Sequence, residues 1–351
     1  LETRWDYADP AYAGGIDVTD LDMTATYRAG SDDLRVDVSS ARIGPASGDV
    51  TLVLRNILEK EPEQAFELTS NRLVLDMAPR FDRPVELTAL TAAGKLATAE
   101  KAIKGLDVHF EHGGAGFHLS GDIGQTPDRA EGEPPILATL DLETTGDIPK
   151  DTVLAFWPAT LGTGARNFAI DHVEAGAIRN VKAHLNMERG SFPDGYLRDD
   201  DLDLTFDVED ATVSFLSDLP PVEKGVGTGR LGGRSFRAVL TSGAYGGWAL
   251  DEGSFEMPAF EKHGEPFRVF AKGHGPAASI MKILADSRLK VKFDPARLSG
   301  TSEMTFEMFR PALDDVPYED IKFTAIGTLK DAGLKDAALG FDLAGASANV
   351  K

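Results

Sequence analysis

The chain has 351 residues, with 36 Lys and Arg against 57 Asp and Glu, a formal net charge of −21, and no cysteine. The acidic excess is spread along the sequence, which argues against nucleic acid as a partner; the lack of cysteine excludes a disulfide framework and a thiolate metal site. The chain is long for one compact core, yet no linker-like stretch divides it, so an elongated, repetitive architecture is expected.

Period-two alternation dominates from the start and predicts strands with one face buried. Met23, Ala25 and Tyr27 lead through Arg28-Ala29-Gly30-Ser31 to Leu34, Val36 and Val38, a hairpin pattern. Turn signals at Gly44-Pro45 and Gly48 precede Val50, Leu52 and Leu54. Leu73 and Leu75, then Val85 and Leu87, repeat the pattern, while Ala92 to Lys104 is compatible with a helix or with strand plus turn. Val108 and Phe110 reach a glycine-rich turn at 113–116, from which Phe117 and Leu119 return. Gln125 to Pro135 is polar, contains proline and has no apolar face, so a disordered loop is expected before the strand of Ala138, Leu140 and Leu142.

Asp147 to Met187 differs. Pro149 suits a first helical turn, Val153, Leu154, Phe156 and Trp157 make one apolar stripe, and Pro158 stops the helix. Arg166-Asn167-Phe168 reads as a turn, followed by strand from Ile170, a break at Gly176, and a second strand carrying Val181, Ala183, Leu185 and Met187. Trp157 and Phe168 are expected to pack the short helix onto the end of a sheet.

Farther on, Leu202, Leu204, Phe206 and Val208 alternate with Asp203, Thr205, Asp207 and Glu209, Asp210-Ala211 reads as a turn, and Val213 and Phe215 continue. Phe236, Ala238 and Leu240, then Trp248, Leu250, Phe255 and Met257, predict further strands. Ala277, Ile280, Met281 and Leu284 share one face of a helix started by Gly275-Pro276. Leu289, Val291 and Phe293, then Met304, Phe306 and Met308, then Ile321, Phe323 and Ala325, close the chain as strands. The order helix from Pro149, strand, Gly176, strand recurs as helix from Pro276, strand, Gly300, strand. It divides the chain into a β segment (1–146) and two helix-led β repeats (147–275 and 276–351), the last of them truncated.

Motifs for chemistry are weak. Gly227 to Gly232 matches the dinucleotide pattern formally, but strand-like SFRAVL follows where a helix is required, so a hairpin turn is expected. His109, His112 and His118 lie close in sequence. On extended chain, residues three apart point to opposite faces, so His109 and His112 do not converge and exposed strand histidines are expected. Asp199-Asp200-Asp201 lacks the glycine and closing glutamate of a calcium loop and reads as the solvated start of a strand. No nucleophile elbow is present, and Arg166 reads as a structural turn residue. No catalytic centre, cofactor or metal is expected. No stretch approaches the length of a membrane span and no signal peptide opens the chain; Leu1 in place of Met points to an excised or processed piece.

The order Phe156-Trp157-Pro158, short gap, Arg166-Asn167-Phe168, apolar pairs, Gly176-Ala177-Ile178 resembles the AsmA-like superfamily of Gram-negative envelope proteins, in its large YhdP-like branch. The stretch from Gly273 to Asp331 resembles a later segment of that branch, so the similarity spans about half of the chain; Phe168 stands where Trp is expected. The resemblance implies a mainly β fold, an elongated, curled antiparallel sheet with a few short helices, whose apolar groove guides phospholipid acyl chains between inner and outer membranes without catalysis. It implies a periplasmic location, an inner-membrane anchor outside this piece, and other envelope proteins as further partners. The groove candidates are Leu202, Leu204, Phe206, Val208, Met304, Phe306 and Met308. Two other uses of the same stripes stand beside it: an adhesin or scaffold of closed, dry β-sandwiches, and a carbohydrate-active β-protein, for which three Trp and six Tyr offer few sugar platforms.

Overall fold

The computed structural model describes residues 3–5, 16–58, 63–130, 133–159, 161–193, 196–215, 220–260, 265–286, 292–313, 316–338 and 340–350. Among the described residues strands hold 66%, in antiparallel sheet with three short helices. Two compact units are present, one of Leu1–Arg166 with Asn180–Asp203, the other of Asn167–Arg179 with Leu204–Lys351.

The first unit is an antiparallel meander. Its strands are β1 (Thr3–Trp5), β2 (Ile16–Arg28), β3 (Asp33–Ile43), β4 (Ala46–Arg55), β5 (Gln64–Leu75), β6 (Val85–Ala97), β7 (Ala102–His112), β8 (Ala115–Gln125) and β9 (Ile136–Thr145). Each pairs with the next. After the short β10 (Ile148–Pro149), α1 (Lys150–Phe156) and α2 (Thr163–His172), the chain enters β11 (Val173–Met187), whose Lys182–Met187 part pairs with β9. Ala92 to Lys104 is thus strand, turn and strand.

The helix expected from Pro149 to Trp157 is present as Lys150–Phe156, with Pro149 as its N-cap and Trp157 as its C-cap. The helix docks through Ala155 and Phe156 onto Val85 and Leu87, with Leu73, Leu75 and Phe110 around them, and Leu154 is buried too. Trp157 does not anchor the helix in the expected way. It is half-buried and donates from Nε1 to the Leu161 carbonyl at 2.8 Å. Phe168 lies instead on α2, in the second unit, with its ring against His172 and Phe215. Ile170 is helical as well, so the strand expected there is replaced by α2. Aromatic residues suit either state, and pattern alone does not separate them.

The second unit contains the Val173–Arg179 part of β11 and the chain from Leu204 onward, through β12 (Leu202–Val213), β13 (Val222–Gly232), β14 (Phe236–Tyr245), β15 (Trp248–Met257), β16 (Pro266–Pro276), α3 (Ala277–Asp286), β17 (Leu298–Pro311), β18 (Lys322–Ala338) and β19 (Phe341–Val350). From β13 to β19 every strand pairs antiparallel with the next. Leu289 and Val291 lie outside the described residues, and Phe293 is not in a strand.

Three expected breaks are strand interiors. β11 runs through Gly176, β17 through Gly300, and β12 through Asp210-Ala211. Gly176 has φ +116° and Asp210 φ +50°. Strand ladders slip beside such residues, as between Ser299 and Thr301 next to Gly300 and between Leu329 and Ala332 next to Asp331. These are β-bulges, and each one bends its strand and increases the local twist. These bulges use a positive φ that Gly and Asp also supply in tight turns, which is why the two residues suggested turns. The segment around Gly227 is likewise strand β13 rather than a hairpin turn.

Candidate functional site

The ladder registers fix which side chains share a face, because directly paired residues on antiparallel strands lie side by side. In the first unit one row runs Ala25, Val36, Leu52, Leu68, Ala92, Val108, Leu119, Leu142, Ala183, one residue from each successive strand. From Val36 to Ala183 every member is half-buried. The other side of the same strands is charged: Arg55 meets Glu67 at 2.7 Å, Lys182 meets Glu143 at 3.2 Å, and His184 meets Asp141 at 2.8 Å.

The second unit is built alike. One row runs Gly229, Ala238, Phe255, Val269, Met308, Phe323, and the next Gly227, Leu240, Gly253, Ala271, Phe306, Ala325. Met304 follows, paired with Gly273 and Gly327. On the reverse side Glu256 stands between Arg237 (3.3 Å) and Arg268 (3.6 Å), and Arg268 reaches Glu307 at 2.8 Å. The hydrogen bond to Glu307 and the nearby carboxylates raise the Arg268 pKa, so this face stays ionised.

Leu204, Phe206 and Val208 are half-buried on β12, as are Met304, Phe306 and Met308 on β17. Register brings the last three together with Val269, Ala271 and Phe323. Phe206 joins the same face from the other side, since its ring covers Gly229, the partner of Ala238. Leu202 is half-buried at the start of β12 but belongs to the first unit. The expected residues therefore include two groups, distant in sequence, that share one apolar face.

What the sequence reading missed is the glycine complement. Leu240 lies beside the space where a β-carbon would stand at Gly225, Gly243 and Gly253, and Met304 occupies that space at Gly327. Glycine here lets a large side chain lie flat on backbone. The signal is the period-two spacing of Gly225, Gly227 and Gly229, in the stretch that the sequence reads as a hairpin turn.

Among the described residues, strand contacts join ladder neighbours, and no second sheet covers either apolar face. The large side chains of the second unit's face remain half-exposed, apart from the buried Trp248. A closed, dry sandwich would bury them. Each face has a helix at one end. In the first unit Phe110, Phe117 and Phe156 cluster, with centroids 4.8 to 6.0 Å apart, and Thr152 of α1 sits on the Gly113-Gly114 hairpin turn. In the second, Ile283 and Ser279 of α3 sit on the Gly246-Gly247 turn, beside Trp248, whose Nε1 donates to the Pro276 carbonyl at 3.2 Å.

Both helix-led segments thus cap an open apolar face at a Gly-Gly turn. The chain matches the family model described as YhdP protein over residues 55–342. It belongs to the YhdP protein family. No curated protein matches the chain, and no solved structure does. In this YhdP-family chain no described helix is long and apolar enough to cross a membrane.

The remaining sequence candidates find structural positions. Arg166 is buried, pairs with Asp82 and donates from Nε to the Trp157 carbonyl at 3.3 Å, so it holds the α1–α2 connection. Asp199 and Asp200 are exposed, but Asp201, expected to be solvated, is buried at 4% exposure. Arg198 grips it with two hydrogen bonds of 2.7 and 2.8 Å, which, with a Ser191 hydrogen bond, holds its carboxyl below the ordinary range. The expected disordered loop is ordered where described: Thr126 is buried and bonds Pro134 and Pro135 carbonyls.

Proposed function

We propose that this chain is a non-enzymatic segment of an envelope lipid-transport protein, and that its apolar faces guide phospholipid acyl chains. The carrying observation is the unbroken row of half-buried apolar residues from Val36 to Ala183, matched in the second unit by rows of apolar residues and glycine, with a charged reverse face. An acyl chain laid on such a surface gains about 0.8 kcal/mol per buried CH₂. Because the side chains point away from the hydrogen-bonded backbone, the fold needs no change to admit it. Membership of the family and the resemblance to AsmA-like proteins support a periplasmic location, with an inner-membrane anchor in another part of the polypeptide and other envelope proteins as neighbours. Phospholipid is the expected cargo, and no cofactor is required.

Native mass spectrometry of the chain, purified from Gram-negative membranes in mild detergent, tests this. Co-purified phospholipid, captured also by a photoreactive side chain at Leu204 and not by one at Arg237 on the charged face, is the expected result. A lipid-free protein, or equal capture at both positions, rejects the reading.

A further inference from the structure

The charged face of the first unit carries a cluster that the apolar-face reading does not use. Asp107 and His109 are two residues apart on β7 and so share that face, and His118 is the direct partner of His109 on β8. The two imidazoles stack with centroids 4.1 Å apart and planes within 5°. Both Nε2 atoms converge on one carboxylate oxygen, Asp107 Oδ1, at 2.7 Å from His118 and 3.2 Å from His109. One ligand atom from each residue thus lies within 4.8 Å of the other two.

We propose that Asp107, His109 and His118 form a binding site for a divalent ion of the zinc class. Two imidazole nitrogens and one carboxylate oxygen are a donor set for borderline ions such as Zn²⁺, Ni²⁺ or Cu²⁺, whereas Ca²⁺ and Mg²⁺ require several oxygens. All three side chains are on adjoining strands of a paired ladder, so the backbone positions are fixed and only side-chain rotation remains. They are 40 to 56% exposed, and the ion reaches them directly from solvent. In the metal-bound arrangement each ring carries its N–H on Nδ1 and turns the Nε2 lone pair from Asp107 Oδ1 to the ion. Three protein ligands leave further positions for water or an anionic group.

Three other described histidines differ. His112 faces the apolar side, with Nδ1 held 2.6 Å from the Glu86 carbonyl oxygen, while His184 and His274 each face one aspartate at 2.8 Å. Those single-imidazole pairs serve as internal controls. With no cysteine in the chain, no thiolate competes.

The test is a titration of zinc chloride into the metal-free protein at neutral pH, read by a chromogenic competitor and by the shift in melting temperature. The expected result is one tight site per chain, a raised melting temperature, and at least about a tenfold loss of affinity in His109→Ala and in His118→Ala. His184→Ala should bind like the wild type. Circular dichroism reports whether the variants keep their strands, as exposed substitutions should. Failure of zinc to bind, or equal loss in His184→Ala and His118→Ala, overturns the site. The titration is done without lipid, so its outcome is independent of the proposed transport role.

Discussion

The Phe206 ring lies against the Cα of Gly229, in the space where a β-carbon would stand. A half-buried aromatic on β12 is thereby laid flat along β13, on the face that Ala238 and Phe255 continue. Gly229→Ala should force the ring off this seat and cost about 1–3 kcal/mol, the usual cost of overpacking. Phe206→Leu in the same chain should restore most of the loss. Thermal melts of the two single variants and the double variant give the coupling; strictly additive losses would mean that the two residues do not share the site.

Bulges account for much of what could and could not be read in the sequence. The alternations Leu204 to Val208 and Met304 to Met308 were legible because period two is a local property. That Phe206 and Met308 share a face was not, since it depends on how the intervening strands pair. Asp210 and Gly176 read as turn or break because these bulges carry the positive φ that tight turns also use, and only the neighbouring strand distinguishes them. The helices led by Pro149 and Pro276 were legible from proline and an apolar stripe. α2 was not, because Phe168 and Ile170 are both at least 40% exposed and give it no clear stripe.

The Asp210 bulge gives a direct test. At φ +50° a β-branched residue is strained by about 1–2 kcal/mol, while glycine is not. Asp210→Val should therefore lower the denaturation midpoint, and Asp210→Gly should leave it nearly unchanged. If both variants melt alike, the strand does not carry a left-handed residue there.

Leu154 is 6% exposed under α1, beside the buried Ala155, whereas Trp157 at the helix end is only half-buried. Leu154→Ala should cost about 2–5 kcal/mol, as deletion of a buried leucine does. Trp157→Ala should cost less. Chemical denaturation of the two variants ranks them, and the reverse order would place the helix anchor at the tryptophan.

Asp201 adds a pH dependence. Its hydrogen bonds from Arg198 lower its pKa below the ordinary 3.8, so the folded state binds this proton less readily than the unfolded chain. The contribution is fully present above that ordinary value and is lost as pH falls through the depressed one. Asp201→Asn should thus destabilise the protein by about 1–2 kcal/mol at neutral pH, the range for a charge-assisted hydrogen bond with a half-exposed arginine. The gap from wild type should narrow only as pH falls below the ordinary carboxyl value of 3.8 and through the depressed one. Melting curves across that window check it; a gap independent of pH would assign the effect to packing alone.

Phe206→Glu separates an open apolar face from a closed core. In a dry core the new carboxylate would lose its water without gaining a partner, at a cost of several kcal/mol, and the fold would fail. Phe206 is half-buried, with its ring on Gly229, so a glutamate there can turn its carboxylate to water. The chain should remain soluble and folded, with the strand-dominated circular dichroism of the wild type. The charge would then stand where an acyl chain is proposed to lie, and desolvating it under a methylene chain is unfavourable. A photoreactive side chain at Leu204, on the same side of β12 two residues away, should capture phospholipid in the wild-type background and none in the Phe206→Glu background. An unfolded variant would show that the face is covered by protein, and undiminished capture would show that lipid does not lie over Phe206.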